Sequence, residues 1–296
     1  MIRLERDVTP AVLAIMENTP NPRLREIMVS LVKHLHGFVR EVRLTEPEFR
    51  EATAIVNEIG KLTSDTHNEA VLMAGSLGVS TLVCLLNNGE LGRLETVQNL
   101  LGPFWRMHSP ETPNGGDIVR SPTAGDPLRV AGQVVDIDGV PIGGAEVDIW
   151  HASPKGFYEN QDPEQANMNL RGKFTTDADG RFWFNTVKMK GYPVPTNGVV
   201  GRLLEAQGRH PFRPAHLHAL IAKPGFKVLI SQIYDPTDPH LETDVQFGVT
   251  EATIGNFVRH EPPDHSGQGS DAPWYSLDYT FVMERGATVL PKPPIK

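Results

Sequence analysis

The sequence predicts a mainly β fold with an α-helical N-terminal part, and three observations lead there. Over residues 1–90 the apolar residues recur at helical spacing. Beyond about residue 100 the chain turns to short β-prone runs, and most of its 25 prolines and 27 glycines punctuate that part. Those runs are not interleaved with helical stretches, which argues against a parallel α/β sheet and for an antiparallel β-sandwich. The expected division is a helical domain over residues 1–103 and a sandwich domain over residues 104–296.

Asn21-Pro22 supplies an N-cap and a first helical residue. Leu24, Ile27, Met28, Leu31, Val32, Leu35, Phe38, Val39 and Val42 then form one apolar stripe. Thr45-Glu46-Pro47-Glu48 has capping-box spacing, so a second helix starts there and runs through Ala52, Ile55, Val56 and Ile59. A third helix is expected from near Asp65 to Asn88, with Gly89 as its stop. In the sandwich, strands are expected over Leu128–Asp136 and over Ala145–His151, where Ala145, Val147 and Ile149 alternate with Glu146, Asp148 and Trp150. The turn Asp177-Ala178-Asp179-Gly180 separates Phe174 from a strand at Arg181–Phe184. His216–Ala222 and Val228–Tyr234 flank Lys223-Pro224-Gly225, and Tyr279–Met283 is the last strand. Arg259–Ser276, rich in Pro, His, Asp and Gly, reads as a surface loop.

Composition narrows the function. With 28 basic and 36 acidic residues the formal charge is −8, which speaks against nucleic acid as a partner. The single cysteine, Cys84, excludes an intramolecular disulfide framework and any site with several thiolates. No apolar run approaches the length of a membrane span and no signal peptide is visible, so a soluble, cytoplasmic protein is expected.

The strongest chemical signal is Arg213-Pro214-Ala215-His216-Leu217-His218. On a strand, His216 and His218 face the same way and make half of a metal site. A cupin-type completion is weak, because Ala219–Phe226 contains no carboxylate. A two-histidine, one-carboxylate iron site through a distant Asp or Glu stays open. Tyrosine is another possible donor, since a hard cation stabilises its phenolate. Tyr158, in Lys155-Gly156-Phe157-Tyr158, and Tyr192, in Gly191-Tyr192-Pro193, stand in turn-like settings. A metal-free ligand-binding sandwich is the reading from another class, as is an interaction protein whose helical part is the functional one.

Four stretches give the sequence a likeness to a known family. They are Thr96–Arg106 (TVQNLLGPFWR), Val147–Tyr158 (VDIWHASPKGFY), Gly191–Gly201 (GYPVPTNGVVG) and Arg209–His218 (RHPFRPAHLH). In order and spacing they resemble the intradiol ring-cleaving dioxygenases, over about residues 20–285. The resemblance implies one non-haem Fe(III) per subunit, held by Tyr158, Tyr192, His216 and His218. It implies that Tyr192 is the axial phenolate displaced by substrate, with Tyr158 and His216 equatorial and His218 the other axial ligand. It assigns Arg213 and Gln232 to support of the reacting ring, with Pro214 bending the chain so that Arg213 reaches the site. It also implies a homodimer formed through the N-terminal helices, with a phospholipid at the dimer interface.

The substrates so implied are a catecholic ring and O2, and the ring opens between its two hydroxyl-bearing carbons. Leu72, Gly75, Gly102, Pro103, Phe104, Val194, Pro195, Arg213, Val245 and Gln246 match residues that line the ring in the family. Tyr192–Gly198 and Asp244–Val249 look most like hydroxyquinol 1,2-dioxygenases, which cleave 1,2,4-trihydroxybenzene to maleylacetate. Gly75 departs from that pattern, since some of those enzymes carry an acidic residue there. Its absence is expected to leave room for a substituent, which keeps catechol and chlorocatechol as alternatives.

Overall fold

A computed structural model describes residues 2–64, 67–88, 96–262 and 272–294. The chain divides into two compact units, 1–58 and 59–296. The first holds helices α1 (Val8–Met16) and α2 (Pro22–Glu41) and most of α3 (Glu46–Leu62). Asn21 caps α2 as its sequence suggests, its Oδ1 accepting from the N–H groups of Arg23 at 3.0 Å and Leu24 at 3.1 Å. The capping box at α3 also forms, with Glu48 Oε2 accepting from Thr45 N–H at 2.8 Å. Arg40 on α2 binds Glu5 and donates to Thr9 Oγ1 on α1 at 2.7 Å. No residue of these three helices is buried.

In the second unit the expected third helix is two helices, α4 (Glu69–Ser76) and α5 (Val79–Asn88). Gly78 sits at φ +72° between them and breaks the helix where the apolar pattern runs on unbroken. The expected end at Asn88 is the end of α5, while Asp65, the expected start, and Gly89, the expected stop, lie outside the described residues. No single helix among the described residues is long and apolar enough to cross a membrane.

The sandwich has two four-stranded sheets. Strands β1 (Pro127–Asp136), β4 (Arg181–Val187), β9 (Asn256–His260) and β10 (Trp274–Met283) form one in the order β4-β1-β10-β9. Strands β2 (Glu146–His151), β3 (Arg171–Thr175), β7 (His216–Ala222) and β8 (Leu229–Tyr234) form the other in the order β3-β2-β7-β8. The second sheet is wholly antiparallel. The first is mixed, which corrects the antiparallel expectation: β1 and β10 run parallel, from Leu128 opposite Tyr275 to Asp136 opposite Met283. A parallel pair needs a long connection, and most of the sandwich lies between these two strands.

Leu128, Val130 and Val134 on one sheet meet Val147, Ile149, Leu217, Ala219 and Ile221 on the other in a shared core. Phe174 and Phe184 stack within it at 4.8 Å. A short ribbon, β5 (Tyr192–Pro193) with β6 (Phe212–Arg213), stands outside both sheets, and helix α6 (Val199–Ala206) lies between its strands. That helix corrects the expectation of no helical run among the strands. The expected loop at Arg259–Ser276 is corrected at both ends. Arg259 and His260 belong to β9, Trp274–Ser276 begin β10, and residues 263–271 lie outside the described ones.

Candidate active site

Strand β7 is central in its sheet and buried on both faces. Leu217, Ala219 and Ile221 turn into the sandwich core, so the period of two sends His216 and His218 to the opposite face. There His216 lies across from Tyr234 on β8, and His218 between Trp150 on β2 and Gln232 on β8. The Trp150 ring stacks on His218 with centroids 4.6 Å apart and planes within 9°.

Tyr158 arrives from the loop after β2. Gly156, at φ +83°, lets that loop press against Tyr192, since a Cβ there would sit 3.1 Å from the Tyr192 Cβ. Phe104 stacks on the Tyr158 ring at 4.5 Å. Tyr192 comes from the ribbon, directly opposite Arg213 in register.

These four side chains converge on one point. Tyr158 Oη is 3.3 Å from Tyr192 Oη and 3.1 Å from His218 Nε2, which is 3.2 Å from His216 Nε2. His216 Nδ1–H donates to the Pro214 carbonyl at 2.7 Å, which leaves its Nε2 as a bare donor atom toward the others. Metal–nitrogen and metal–oxygen bonds run to about 2.0–2.2 Å, so separations near 3 Å are the edges of a coordination polyhedron. The residues present therefore fit a metal ion. Among the described residues no three His, Cys, Asp or Glu side chains form such a cluster, so the tyrosines are needed to complete it.

The local electrostatics point the same way. Burial, and then the Arg213 guanidinium, hold His216 down to about 3, and burial with His216 beside it keeps His218 well below the usual imidazole value. Burial, and then the neighbouring Tyr192, push the Tyr158 phenol well above its usual value, and burial raises Tyr192 too. Without a cation the set is uncharged, and a cation would stabilise both phenolates at once.

Pro214 and Ala215 separate β6 from β7, so Arg213 does not follow the alternation of the histidine strand. Its Nη1 reaches 3.3 Å from His216 Nε2. Asp244 holds it in a fork, accepting from Nε at 3.1 Å and from Nη2 at 3.0 Å. Nη2 also donates to Gln232 Oε1 at 2.9 Å and to Tyr234 Oη at 2.7 Å. Burial works against the charge of both partners. Their attraction outweighs it, raising the guanidinium and lowering the Asp244 carboxyl from their ordinary values.

A cavity of about 510 Å³ opens beside this cluster, bordered by Tyr192 and Arg213 but by none of the other three donors. Leu72, Gly102, Pro103, Phe104, Val194, Pro195 and Gln246 line it. Val245 is buried with Leu72, Val194 and Val200 rather than lining the cavity. Gly75 does not border it either, and the room expected there is filled. A Cβ on Gly75 would sit 1.7 Å from Gln246 Oε1, and the Gln246 amide is fixed by its bond to Ser76 Oγ at 2.9 Å.

Comparison with known proteins settles the family. The family described as "Dioxygenase" matches residues 102–283, and "Catechol dioxygenase N terminus" matches residues 21–91. A hydroxyquinol 1,2-dioxygenase of Rhizobium sp. is 40% identical over 95% of this chain and 96% of its own. The chain belongs to the intradiol dioxygenase family. A 6-chlorohydroxyquinol 1,2-dioxygenase of Cupriavidus pinatubonensis is 38% identical over 94% of this chain and 97% of its own. The crystal structure of hydroxyquinol 1,2-dioxygenase from Pseudomonas putida superimposes with a TM-score of 0.89 at 36% identity, covering 95% of this chain and 99% of that one. Intradiol dioxygenases use non-haem iron, which the oxygen and nitrogen donors gathered here suit.

Two members of this dioxygenase's Arg213 web escaped the sequence reading. Tyr234 was within reach, because it lies two residues after Gln232 on one strand and so shares its face. Asp244 carried no local signal, being 31 residues from the arginine it holds.

Proposed function

We propose that this intradiol dioxygenase cleaves hydroxyquinol, 1,2,4-trihydroxybenzene, with O2 to 3-hydroxy-cis,cis-muconate and its tautomer maleylacetate, in the breakdown of aromatic compounds. The observation that carries the reading is the convergence of Tyr158, Tyr192, His216 and His218 beside a cavity wide enough for a substituted ring. A cavity of about 150 Å³ already accommodates benzene. One Fe(III) per chain, held by two phenolates and two neutral imidazoles, would supply Lewis-acid activation of the catecholate toward O2.

The chain's own residues do the rest. Tyr192 is the donor that borders the cavity, so its phenol is the one placed to take up a substrate proton. Tyr158 and His218 are held between Phe104 and Trp150 and stay in place. Arg213, fixed by Asp244, Gln232 and Tyr234, presents positive charge to the cavity and stabilises negative charge that develops on the ring. Leu72, Phe104, Val194 and Pro195 exclude water from the ring faces.

The deciding experiment is a visible spectrum of the iron-loaded protein before and after anaerobic addition of hydroxyquinol, catechol and 4-chlorocatechol, followed by O2 and product analysis. A red tyrosinate charge-transfer band that shifts with substrate, and a muconate product formed fastest from hydroxyquinol, is expected. A colourless iron-loaded protein, or a semialdehyde product, would overturn the reading. Faster turnover of catechol or 4-chlorocatechol would transfer the assignment to that substrate.

We further propose a cytoplasmic homodimer, with residues 1–103 as its dimerisation and linker part and residues 104–296 as its catalytic part. Along α2, Leu24, Ile27, Leu31, Leu35 and Phe38 are each between 45% and 52% exposed, an apolar stripe suited to a second copy and to a phospholipid chain. Light scattering at micromolar concentration tests the dimer, and lipid extraction with mass spectrometry tests the phospholipid.

A further inference from the structure

Two of the side chains lining the cavity are fixed by a buried carboxylate: Arg213 by Asp244, and His67 by Glu69. The first belongs to the donor cluster, whereas the second has no part in it. Glu69 is 1% exposed, at the first residue of α4. Its Oε1 accepts from Val200 N–H at 2.8 Å, in the first turn of α6, and its Oε2 meets His67 Nε2 at 2.6 Å. The space for this carboxylate depends on Gly198, where a Cβ would lie 2.5 Å from Glu69 Oε1. A carboxylate only accepts, so His67 Nε2 carries the proton. His67 Nδ1 has no hydrogen-bond partner among the described residues, and the side chain is 31% exposed.

We propose that His67, oriented by Glu69, is a specificity-determining residue that hydrogen-bonds the third hydroxyl of a trihydroxybenzene, the one outside the pair whose ring bond is broken. The inference rests on the ring-cleaving reading of the same cavity. With the vicinal pair at Tyr192 and Arg213 and the ring against the apolar walls, the remaining hydroxyl has to find a partner inside the cavity. Leaving it without one weakens binding, because a desolvated hydroxyl loses its bonds to water. Ser80 and Asn160 also border the cavity, and of the other polar side chains at the wall three have one amide atom engaged, whereas His67 differs from all of these in being held by a buried carboxylate. Asn68 Oδ1 caps Val71 N–H at 2.9 Å, Gln161 Oε1 accepts from Tyr158 N–H at 3.1 Å, and Gln246 Nε2 donates to Ser76 Oγ at 2.9 Å. His67 is pre-set by a buried partner and keeps one ring nitrogen free. A hydroxyl on the substrate meets it, and catechol, which lacks that hydroxyl, does not.

The test is the ratio of kcat/KM for 1,2,4-trihydroxybenzene to that for catechol, measured on iron-loaded wild type and His67→Phe. Loss of one such hydrogen bond is expected to lower the ratio about tenfold, with the loss appearing mainly in KM for the trihydroxybenzene. A fall of about threefold or more supports the assignment, and a smaller change overturns it. His67→Leu, which likewise offers the hydroxyl no partner, gives the same readout if the phenylalanine variant fails to fold. A merely structural role would weaken both substrates together and leave the ratio in place. Failure of the underlying reading looks different, since the wild type would then cleave neither ring.

Discussion

The face of sheet β3-β2-β7-β8 that carries the donor cluster and the apolar face of α2 are opposites in how they are satisfied. On that face and the ribbon beside it, His216, His218, Gln232 and Arg213 are at most 4% exposed, and each side chain meets at least one polar partner that the same chain supplies. On α2 the apolar stripe is half exposed and its chain buries none of it. The sheet therefore owes its order to contacts within one molecule, and removing one contact exposes an unpaired buried group. The helix owes its local order to caps, and its apolar face gains its worth only from what covers it.

That contrast can be broken or sharpened by substitution. The largest effect is expected from the cluster. His216→Ala or Tyr158→Phe should lower both iron content and turnover by about a thousandfold or more, read by metal analysis and oxygen uptake. Next, Arg213→Gln should keep the iron and its colour while kcat falls about a hundredfold, because the lost group acts on developing charge rather than on the metal. A spectrum that disappears along with activity would show that Arg213 holds the cluster together instead.

A third prediction concerns pH. His151 is buried, its ring bonded to the Ala152 carbonyl and to Thr186 Oγ1, and burial lowers it to about 4. Its folded value lies below the unfolded 6.5, so the unfolded chain takes up this proton first as pH falls. The stability linked to it is intact above pH 6.5 and is lost on acidification toward pH 4. Between pH 7 and pH 5 the loss is about 2 kcal/mol, and His151→Gln should flatten that slope in urea titrations of the iron-free protein. The smallest effect belongs to the helical unit. Thr45→Ala removes the hydroxyl arm of an exposed capping box and should cost about 1 kcal/mol in thermal unfolding, with ring cleavage unaffected.

The two regions also differed in how far the sequence revealed them. Helix starts were legible because their signals are local: Asn21-Pro22 and Thr45 with Glu48 act within four residues. The histidine strand was legible because alternation is a local pattern as well. What stayed hidden was set by distant partners. The break at Gly78 hides inside a continuous apolar run, and the parallel pairing of β1 with β10 joins nearly opposite ends of the sandwich. Asp244 and Glu69 read as ordinary charged residues until the fold buries them against Arg213 and His67. Gly75 read as open space, although Gln246, 171 positions later, occupies it.

The two-residue ribbon of β5 and β6 has a mechanical meaning. Tyr158, His216 and His218 are set in a wall, clamped by sheet ladders or stacked rings, whereas Tyr192 is mounted on a small bracket that shares no ladder with that wall and is tied to it through the Arg213 side chain. Swinging the bracket breaks no rung of either sheet. A substrate oxygen that took the place of the Tyr192 phenol would therefore leave the ladders of both sheets untouched. The bracket is itself closely seated, for a Cβ on Gly191 would lie 2.6 Å from the Arg213 carbonyl oxygen.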